Sequence, residues 1–363
     1  GNVYDRLVDY DSGSPPKLIP IIAEDLPAIS SDGLEYTFKL KRGLKFHDGS
    51  EVTAEAIKYS ADRMTTLKKG WAFLFNGIIG PDSTTVIDKY TVKFTLLTAH
   101  APFLAKVPYL FVVNPTLLQA NEVDGDWGNA YLNAGNDVGS GPYRLVSYKS
   151  DEGYLLKAFT EYHRGWEANQ IPTFRVFIAR EEATQKQLLD SGATHASPHH
   201  VSAEFFKWAQ KHPRLTLEVP EKLVVVSFAH FNNQKAPLDD VHVRRAIAHL
   251  HDWQTLVKNI RGDLGDSAPT GPMARGIMGH NDQLKMYEFS LEKAKAELAK
   301  SKYSDIRPIT CNHIAGNEWQ RLECEMLAAN AQKIGLTIKP EMLPWGSYVA
   351  AVADPETSPD IVI

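Results

Sequence analysis

The most restrictive feature of the sequence is a strand–helix–strand pattern in its last third. Apolar runs predict strands over 308–314 and 336–343, and a helical pattern fills 318–334 between them. Gly335 follows as a residue that suits a helix end. Two strands joined by a helix pair in parallel through a right-handed crossover. The pattern therefore predicts an α/β fold in this part of the chain.

Upstream segments predict further strands and helices of the same class. Alternation with period two predicts half-buried strands over 34–40 and 91–96, and Thr53 is placed to cap a helix between them. Polar breaks at 121–140 and 232–237 separate the later segments. Those segments are a hairpin at 143–148 and 153–159, strands near 174–178, 215–219 and 223–231, and helices at 182–191, 202–212 and 239–251.

The composition excludes several classes of protein. The 363 residues carry 39 basic and 44 acidic side chains, a net charge of −5 with no basic stretch, which argues against nucleic acid as a partner. No run of about 18 apolar residues occurs, so no segment is expected to span a membrane. The longest apolar blocks, 109–113 and 223–226, have the length of buried strands. No basic-then-apolar leader is present, so a signal peptide is not expected within this sequence.

Two cysteines leave two alternatives open. Cys311 and Cys324 can form a disulfide, or they can remain as two buried thiols. Nothing in the sequence decides between these states, and two cysteines in 363 residues do not make a disulfide framework.

Sequence signatures of catalysis are absent. There is no phosphate-loop motif, no His-Glu-x-x-His and no Gly-x-Ser-x-Gly. Residues 139–143 begin like a dinucleotide-binding loop, but Arg144 stands where the third glycine is required. The adjacent carboxylates at 181–182 and 239–240 suit helix N-termini better than paired acid–base chemistry. We therefore expect no catalytic residue, no cofactor and no enzymatic activity.

A cluster of histidines offers a different kind of site. His195, His199 and His200 have a spacing that can bind a transition metal, and the alternative is a polar loop between a strand and a helix. No cysteine or carboxylate nearby completes a metal shell, so no metal site is predicted. A ligand contact by His199 fits the pattern better, and His47 is interpreted as a turn residue rather than a catalyst.

Aromatic residues give the first candidate wall of a ligand pocket. Trp71, Phe73 and Phe75 alternate after Gly70 in a stretch with few charges. One interpretation is a buried strand face. The other is the lining of a pocket, since ligand pockets are rich in aromatic side chains.

A second candidate wall lies beside the break at 232–237. Phe228, His230 and Phe231 follow an apolar strand pattern immediately before this break. Ligand clefts favour domain junctions, so these side chains are candidates for ligand binding, with core packing as the alternative.

Short motifs recur along the chain in an order that resembles a known family. The strongest block is Arg-Gly-Leu-Lys-Phe-His-Asp-Gly-Ser at 42–50. Others are Ser-Asp-Gly-Leu-Glu-Tyr-Thr-Phe-Lys-Leu at 31–40, Gly-Ser-Gly-Pro-Tyr at 139–143, Tyr-His-Arg-Gly-Trp at 162–166 and Asn-Asn-Gln-Lys-Ala-Pro-Leu-Asp-Asp-Val at 232–241. In this order the chain resembles the peptide/nickel class of bacterial extracellular solute-binding proteins, family 5, which feed ABC importers.

The resemblance implies a fold and a function. The fold is α/β, with two lobes like those of periplasmic binding proteins and an extra α+β lobe. Residues 1–136 would form the extra lobe, 137–234 part of the first ligand-binding lobe, and 235–363 the second. Such a receptor captures a peptide or peptide-like solute between two closing lobes, in the periplasm or at the cell surface, and delivers it to a membrane permease.

The resemblance also sets the remaining expectations. The protein is expected to be a monomer, and the chain is expected to be incomplete at both ends relative to the family. In peptide-binding relatives an acidic residue anchors the amino terminus of the peptide, and the matching position would lie beyond Ile363. Three alternatives stay open: a hydrolase on the same scaffold, a binder of a metal complex through the loop at 195–200, and a binder of a sugar or an opine.

Overall fold

The computed structural model describes residues 2–13, 16–150, 152–197, 202–218, 226–261, 271–273 and 279–363. The chain divides into two units, Gly1–Ile178 and Ala179–Ile363, which are called unit 1 and unit 2 below. The three-lobe division expected from the family resemblance, at 1–136, 137–234 and 235–363, stays a prediction.

Unit 1 is built on antiparallel sheets. Its strands are β1 (Val8–Tyr10), β2 (Leu18–Pro20), β3 (Ala28–Ile29), β4 (Glu35–Lys39), β5 (Thr84–Asp88), β6 (Thr91–Thr95), β7 (Tyr143–Lys149), β8 (Gly153–Ala158) and β9 (Thr173–Phe177). Its α-helices are α1 (Ala54–Leu67), α2 (Phe103–Lys106), α3 (Pro115–Ala120) and α4 (Asn129–Asn133), with 3-10 helices at Gly70–Phe75 and Val107–Tyr109. The strands pair as β1-β2, β3-β4-β6-β5 and β7-β8-β9.

The central sheet of unit 1 follows from the alternation in its sequence. Tyr36 and Phe38 on β4 are buried and pair with Phe94 and Val92 on β6. Successive side chains of a strand point to opposite faces, so alternate apolar residues place one face of the sheet in the core. The strands predicted over 34–40 and 91–96, the helix after Thr53 and the hairpin β7-β8 are confirmed, although the Thr53 side chain makes no capping hydrogen bond.

Unit 2 is built on a mixed sheet with helices. Its helices are α5 (Glu182–Ser191), α6 (Ala203–Lys211), α7 (Val241–Leu250), α8 (Trp253–Thr255), α9 (Leu291–Leu298), α10 (Glu318–Gln332) and α11 (Trp345–Val352), with a π-helical turn at Leu256–Ile260. Its strands are β10 (His230–Phe231), β11 (Ile309–Ile314), β12 (Ile338–Leu343) and β13 (Ile361–Val362), in the order β10-β13-β11-β12.

The predicted strand–helix–strand unit is confirmed. β11 and β12 pair in parallel, from Ile309 opposite Ile338 to Ile314 opposite Leu343, and α10 connects them. Asn317 caps α10 by accepting a hydrogen bond from the Gln320 backbone N–H. This arrangement establishes the α/β character of unit 2.

The pairing left open for the two cysteines is resolved as a disulfide. Cys311 lies on β11 and Cys324 on α10, with their Cα atoms 5.7 Å apart. Both residues are fully buried in the core of unit 2. The disulfide therefore ties the central strand of the α/β unit to the helix that covers it.

The strand expected near 215–219 is wrong over its described residues, the strand expected over 223–231 is shorter than predicted, and the apolar block at 109–113 is not a strand. The stretch 215–218 is irregular, because Leu215 packs against helix α6 beside Trp208 instead of pairing with a strand. Of 226–231, only His230–Phe231 pairs, with β13. The apolar block at 109–113 is not a strand either, since Pro108 lies in the 3-10 helix Val107–Tyr109 and the following residues are irregular.

Candidate functional site

His47 joins two of the family-like motifs in unit 1. Its Nδ1 lies 2.8 Å from both carboxylate oxygens of Asp137, and its Nε2 lies 2.8 Å from the carbonyl oxygen of Gly141. Its backbone N–H donates to the carbonyl of Gly139. His47 is buried and fastens one motif to the other, so the structure supports its interpretation as a structural turn residue.

The candidate ligand-binding surface is a group of exposed aromatic side chains on unit 1, called the aromatic patch and formed by Tyr10, Trp71, Phe73 and Tyr109. Trp71 has its ring centroid 5.9 Å from that of Phe73 and 5.0 Å from that of Tyr109. Trp71 is 47% exposed and Phe73 is 60% exposed. Contiguous exposed apolar groups are candidates for interaction sites on proteins.

The local backbone explains why these side chains are exposed. Helix α1 ends at Leu67 and is capped by Lys68, which takes a left-handed conformation, and Gly70 then begins a 3-10 helix. A 3-10 helix repeats every three residues, so Ala72 and Phe75 share one face, and both are buried. Trp71 and Phe73 lie on the other faces and remain accessible.

The strand interpretation of this segment is therefore wrong. Phe75 is 1% exposed and packs with its ring centroid 6.5 Å from that of Phe103. Of the three predicted ligand contacts here, the structure brings Trp71 and Phe73 together on the surface and places Phe75 in the core behind them.

The tyrosines of the aromatic patch are the residues that sequence reasoning missed. Tyr10 donates a hydrogen bond from its hydroxyl to the carbonyl of Ala105, which places it at the edge of the patch. Burial, and secondarily the neighbouring Tyr109, raise the pKa of the Tyr10 hydroxyl above its ordinary value. The rings of the patch offer uncharged π-faces that can stack on aromatic or apolar groups of a ligand.

The second predicted wall belongs to unit 2. Phe228 and His230 are exposed, with ring centroids 5.7 Å apart. Phe231 is half-buried, packs against the core of unit 2 and lies on β10. Phe228 and His230 are thus accessible to a ligand, whereas Phe231 packs against the core.

The loop that carries the predicted histidine cluster is described only in part. His195 lies in a bend after α5, and the predicted contact His199, like His200, lies outside the described residues. Within the part of the chain that the structure describes, no group of three His, Cys, Asp or Glu residues is arranged to hold a metal ion.

The fold belongs to the class of periplasmic binding proteins. A solved structure with this fold is the ABC transporter-associated periplasmic binding protein DppA from Helicobacter pylori in complex with peptide STSA. The TM-score is 0.82 at 24% identity, covering 99% of this chain and 71% of that one. The α/β fold expected from the resemblance is thus confirmed.

The profile of the family described as "Bacterial extracellular solute-binding proteins, family 5 Middle" matches residues 17–359. The chain belongs to this family, as the order of its motifs indicated. Among the described residues, no helix is both long and apolar enough to cross a membrane.

Two curated relatives show how much of a family member the chain represents. The "Heme-binding protein A" of Haemophilus influenzae is 28% identical over 95% of this chain and 65% of its own length. The "Dipeptide-binding protein" of Escherichia coli is 27% identical over 98% of this chain and 68% of its own length. The chain therefore spans about two thirds of the length of these two relatives.

Proposed function

We propose that this chain is the ligand-binding part of an extracytoplasmic receptor that captures a peptide or peptide-like solute for an ABC importer. The family match over residues 17–359 carries the proposal. The peptide class is supported by the names of two similar proteins, the Escherichia coli dipeptide-binding protein and the Helicobacter pylori protein solved with a peptide. In such a role the protein binds its ligand and transfers it to a permease, and no covalent bond is made or broken.

Two groups of side chains are proposed to contact the ligand. On unit 1, Trp71 and Phe73 stack against apolar parts of the solute, with Tyr10 and Tyr109 extending the surface. On unit 2, Phe228 and His230 offer a ring face and a hydrogen-bonding imidazole. Phe75 packs in the core of unit 1 and Phe231 against the core of unit 2, and His199 is proposed as a further ligand contact.

The buried disulfide supports a location outside the cytoplasm. Disulfides persist in oxidising compartments such as the periplasm and the cell surface and are rare in the cytosol. Cys311 and Cys324 are fully buried and bonded to each other, which fits the extracellular location in the name of the family.

Thermal stability with and without peptides tests the proposal. A ligand that binds only the folded protein stabilises it by RT ln(1 + [L]/Kd), or about 2.7 kcal/mol at a hundredfold excess over Kd. We expect a rise in melting temperature with a subset of a di- to pentapeptide library, and a reduced rise in Trp71→Ala and Phe73→Ala. Phe177→Ala serves as the matched control, because Phe177 is an exposed aromatic residue of unit 1 outside the aromatic patch.

Native mass spectrometry of the purified protein identifies a ligand that is retained. A bound peptide mass supports the proposal. The name of the Haemophilus influenzae relative makes haem the competing ligand. A haem absorption band, together with a melting temperature that no peptide changes, would show that the ligand is haem and not a peptide. Turnover of the added peptides into cleavage products would contradict a receptor without catalysis.

A further inference from the structure

Unit 1 contains a cavity of about 590 Å³ that is separate from the aromatic patch. Its walls come mainly from three stretches of chain, at 4–9, 142–143 and 162–174. None of the four residues of the aromatic patch lines it. The volume lies in the range of about 300–1,000 Å³ that is typical of small-molecule sites.

Hydrogen bonds fix the floor of this cavity. Asp5 is buried, and its carboxylate accepts a hydrogen bond from the Tyr162 hydroxyl at 3.0 Å and lies 3.2 Å from His163 Nε2. The backbone N–H of Tyr143 donates to the carbonyl of Asn2. These contacts hold the three stretches together, so the cavity is largely preformed.

One wall of the cavity consists of aromatic rings. The rings of Tyr143 and Trp166 are perpendicular with centroids 5.1 Å apart, and Phe174 lies 6.2 Å from Tyr143. The Tyr143 hydroxyl donates to the carbonyl of Ile171, and the Trp166 indole N–H donates to that of Phe159. Because both polar ends are already bonded to backbone, these side chains present ring surface to the cavity, which suits an aromatic guest.

The charges of the cavity are only partly paired. Arg6 is engaged, because its Nη1 binds Asp9 at 2.7 Å and its guanidinium lies 4.8 Å from the centroid of the Phe111 ring. Arg164 and Glu167 also line the cavity, and both are exposed. Arg164 interacts with the Tyr162 hydroxyl, but no ion pair of Arg164 or Glu167 is found among the described residues. The pKa of the nearby Lys41 is lowered, first by burial and then by the charge of Arg164, while the charge of Asp5 acts in the opposite direction. Arg164 and Glu167 therefore place a cation and an anion, neither in an ion pair among the described residues, at the same cavity. This combination suits a ligand that carries both charges.

We propose that this cavity is a second ligand site, for a free amino acid with an aromatic side chain. Its carboxylate is oriented toward Arg164, and its ammonium group toward Glu167. Its ring packs on Tyr143, Trp166 and Phe174. This inference concerns a separate site and does not depend on the function proposed above.

Isothermal titration of the whole chain with L-tryptophan tests the proposal. Tryptamine lacks the carboxylate and indole-3-propionate lacks the ammonium group, so each probes one of the two charges. We expect saturable binding of L-tryptophan and at least tenfold weaker binding of both analogues. Arg164→Gln and Glu167→Gln, two substitutions of exposed side chains, should each weaken L-tryptophan at least tenfold, and Trp166→Ala should weaken it further.

The aromatic patch provides the matched control. Trp71→Ala should leave the affinity for L-tryptophan unchanged, because Trp71 does not line the cavity. The proposal is overturned if the wild-type chain does not bind L-tryptophan, or if the two analogues bind as well as the amino acid. It is equally overturned if Trp71→Ala abolishes binding while Glu167→Gln retains it, since the amino acid would then occupy the aromatic patch.

Discussion

The two units bury different kinds of side chain. Phe38, Phe46, Phe75, Phe94 and Phe103 are fully buried in the largest cluster of unit 1. The main core cluster described in unit 2 consists instead of buried aliphatic residues and the disulfide Cys311–Cys324, with Phe231 and Tyr303 only at its margin. Antiparallel sheets with one buried face accommodate large rings, whereas a strand covered on both faces, as β11 is, accommodates smaller side chains. Ring packing therefore stabilises unit 1, whereas a covalent bond supplements aliphatic packing in unit 2.

The largest expected effect comes from removing a ring at the centre of unit 1. The ring of Phe103 lies 4.8 Å from that of Tyr36 and 5.8 Å from that of Phe94. Phe103→Ala should lower the free energy of unfolding of unit 1 by about 3–5 kcal/mol, because it leaves a cavity in a close-packed core. Hydrogen exchange read by mass spectrometry separates the two units, and unit 2 should be unaffected.

Phe73→Ala is the matched control, since it removes the same ring from the surface of unit 1. Its effect on stability should stay within about 0.5 kcal/mol. Similar losses from Phe73→Ala and Phe103→Ala would contradict the assignment of ring packing to the core.

The next effect comes from opening the disulfide of unit 2. Cys311 and Cys324 are 13 residues apart in sequence, and a closed loop of about 15 residues contributes about 3 kcal/mol through the entropy of the unfolded chain. A reducing agent that opens the bond should therefore speed hydrogen exchange in β11 and α10 while leaving unit 1 unchanged. The Cys311→Ala/Cys324→Ala variant should show the faster exchange without reductant and should not respond to it. If the reductant speeds hydrogen exchange equally in both units, the disulfide does not stabilise unit 2 specifically and the contrast between the units is wrong.

The smallest of the three effects concerns the ion pair between Arg307 and Asp360 in unit 2. Asp360 is buried and accepts hydrogen bonds from both terminal nitrogens of Arg307 at 2.7 Å and from the Thr310 backbone N–H at 2.9 Å. Burial alone would raise the pKa of Asp360, but these hydrogen bonds outweigh it and hold the pKa below its usual value of 3.8. A carboxylate with a depressed pKa stabilises the folded state fully above its unfolded pKa of about 4, and this contribution is lost as the pH falls through the folded value.

Asp360→Asn tests this pH dependence. At pH 7 the substitution should cost unit 2 about 1.5–3 kcal/mol, the usual range for a hydrogen bond to a charged group. The difference from wild type should shrink as the pH drops below about 4. Urea unfolding at a series of pH values measures it, and a difference that stays constant down to pH 2 would contradict the role of the charge.

Much of the fold could be predicted because its signals are local. The strand–helix–strand unit of unit 2 combines apolar strands, a helical stripe and Gly335, all within about one supersecondary motif. The alternation over β4 and β6 is equally local. The strand predicted near 215–219 was wrong over the described residues 215–218. An alternating stretch forms a strand only where a neighbouring strand is available to pair with it, and the local sequence does not show whether one is.

The candidate site was less predictable because its members are distant in sequence. The aromatic residues of the segment after Gly70 identified Trp71 and Phe73 as candidates. The period of three residues in the 3-10 helix places Phe75 on a different face from these two side chains. Tyr109 reaches Trp71 across 38 positions of sequence, and nothing near Tyr109 signals that contact. The disulfide was undecidable for the same reason, because pairing depends on the 5.7 Å between the two Cα atoms and not on their spacing.

The position of β13 has a consequence for the order of folding during synthesis. Strand β10, at His230–Phe231, pairs with β13, which in turn connects it to β11. About 130 residues of chain must therefore emerge from the ribosome after β10 before it finds this partner, whereas the strands described in unit 1 have partners within Gly1–Ile178. The described strand pairs of unit 1 can therefore form while β10 of the nascent unit 2 is still unpaired, and an unpaired strand edge is a site where chains can aggregate.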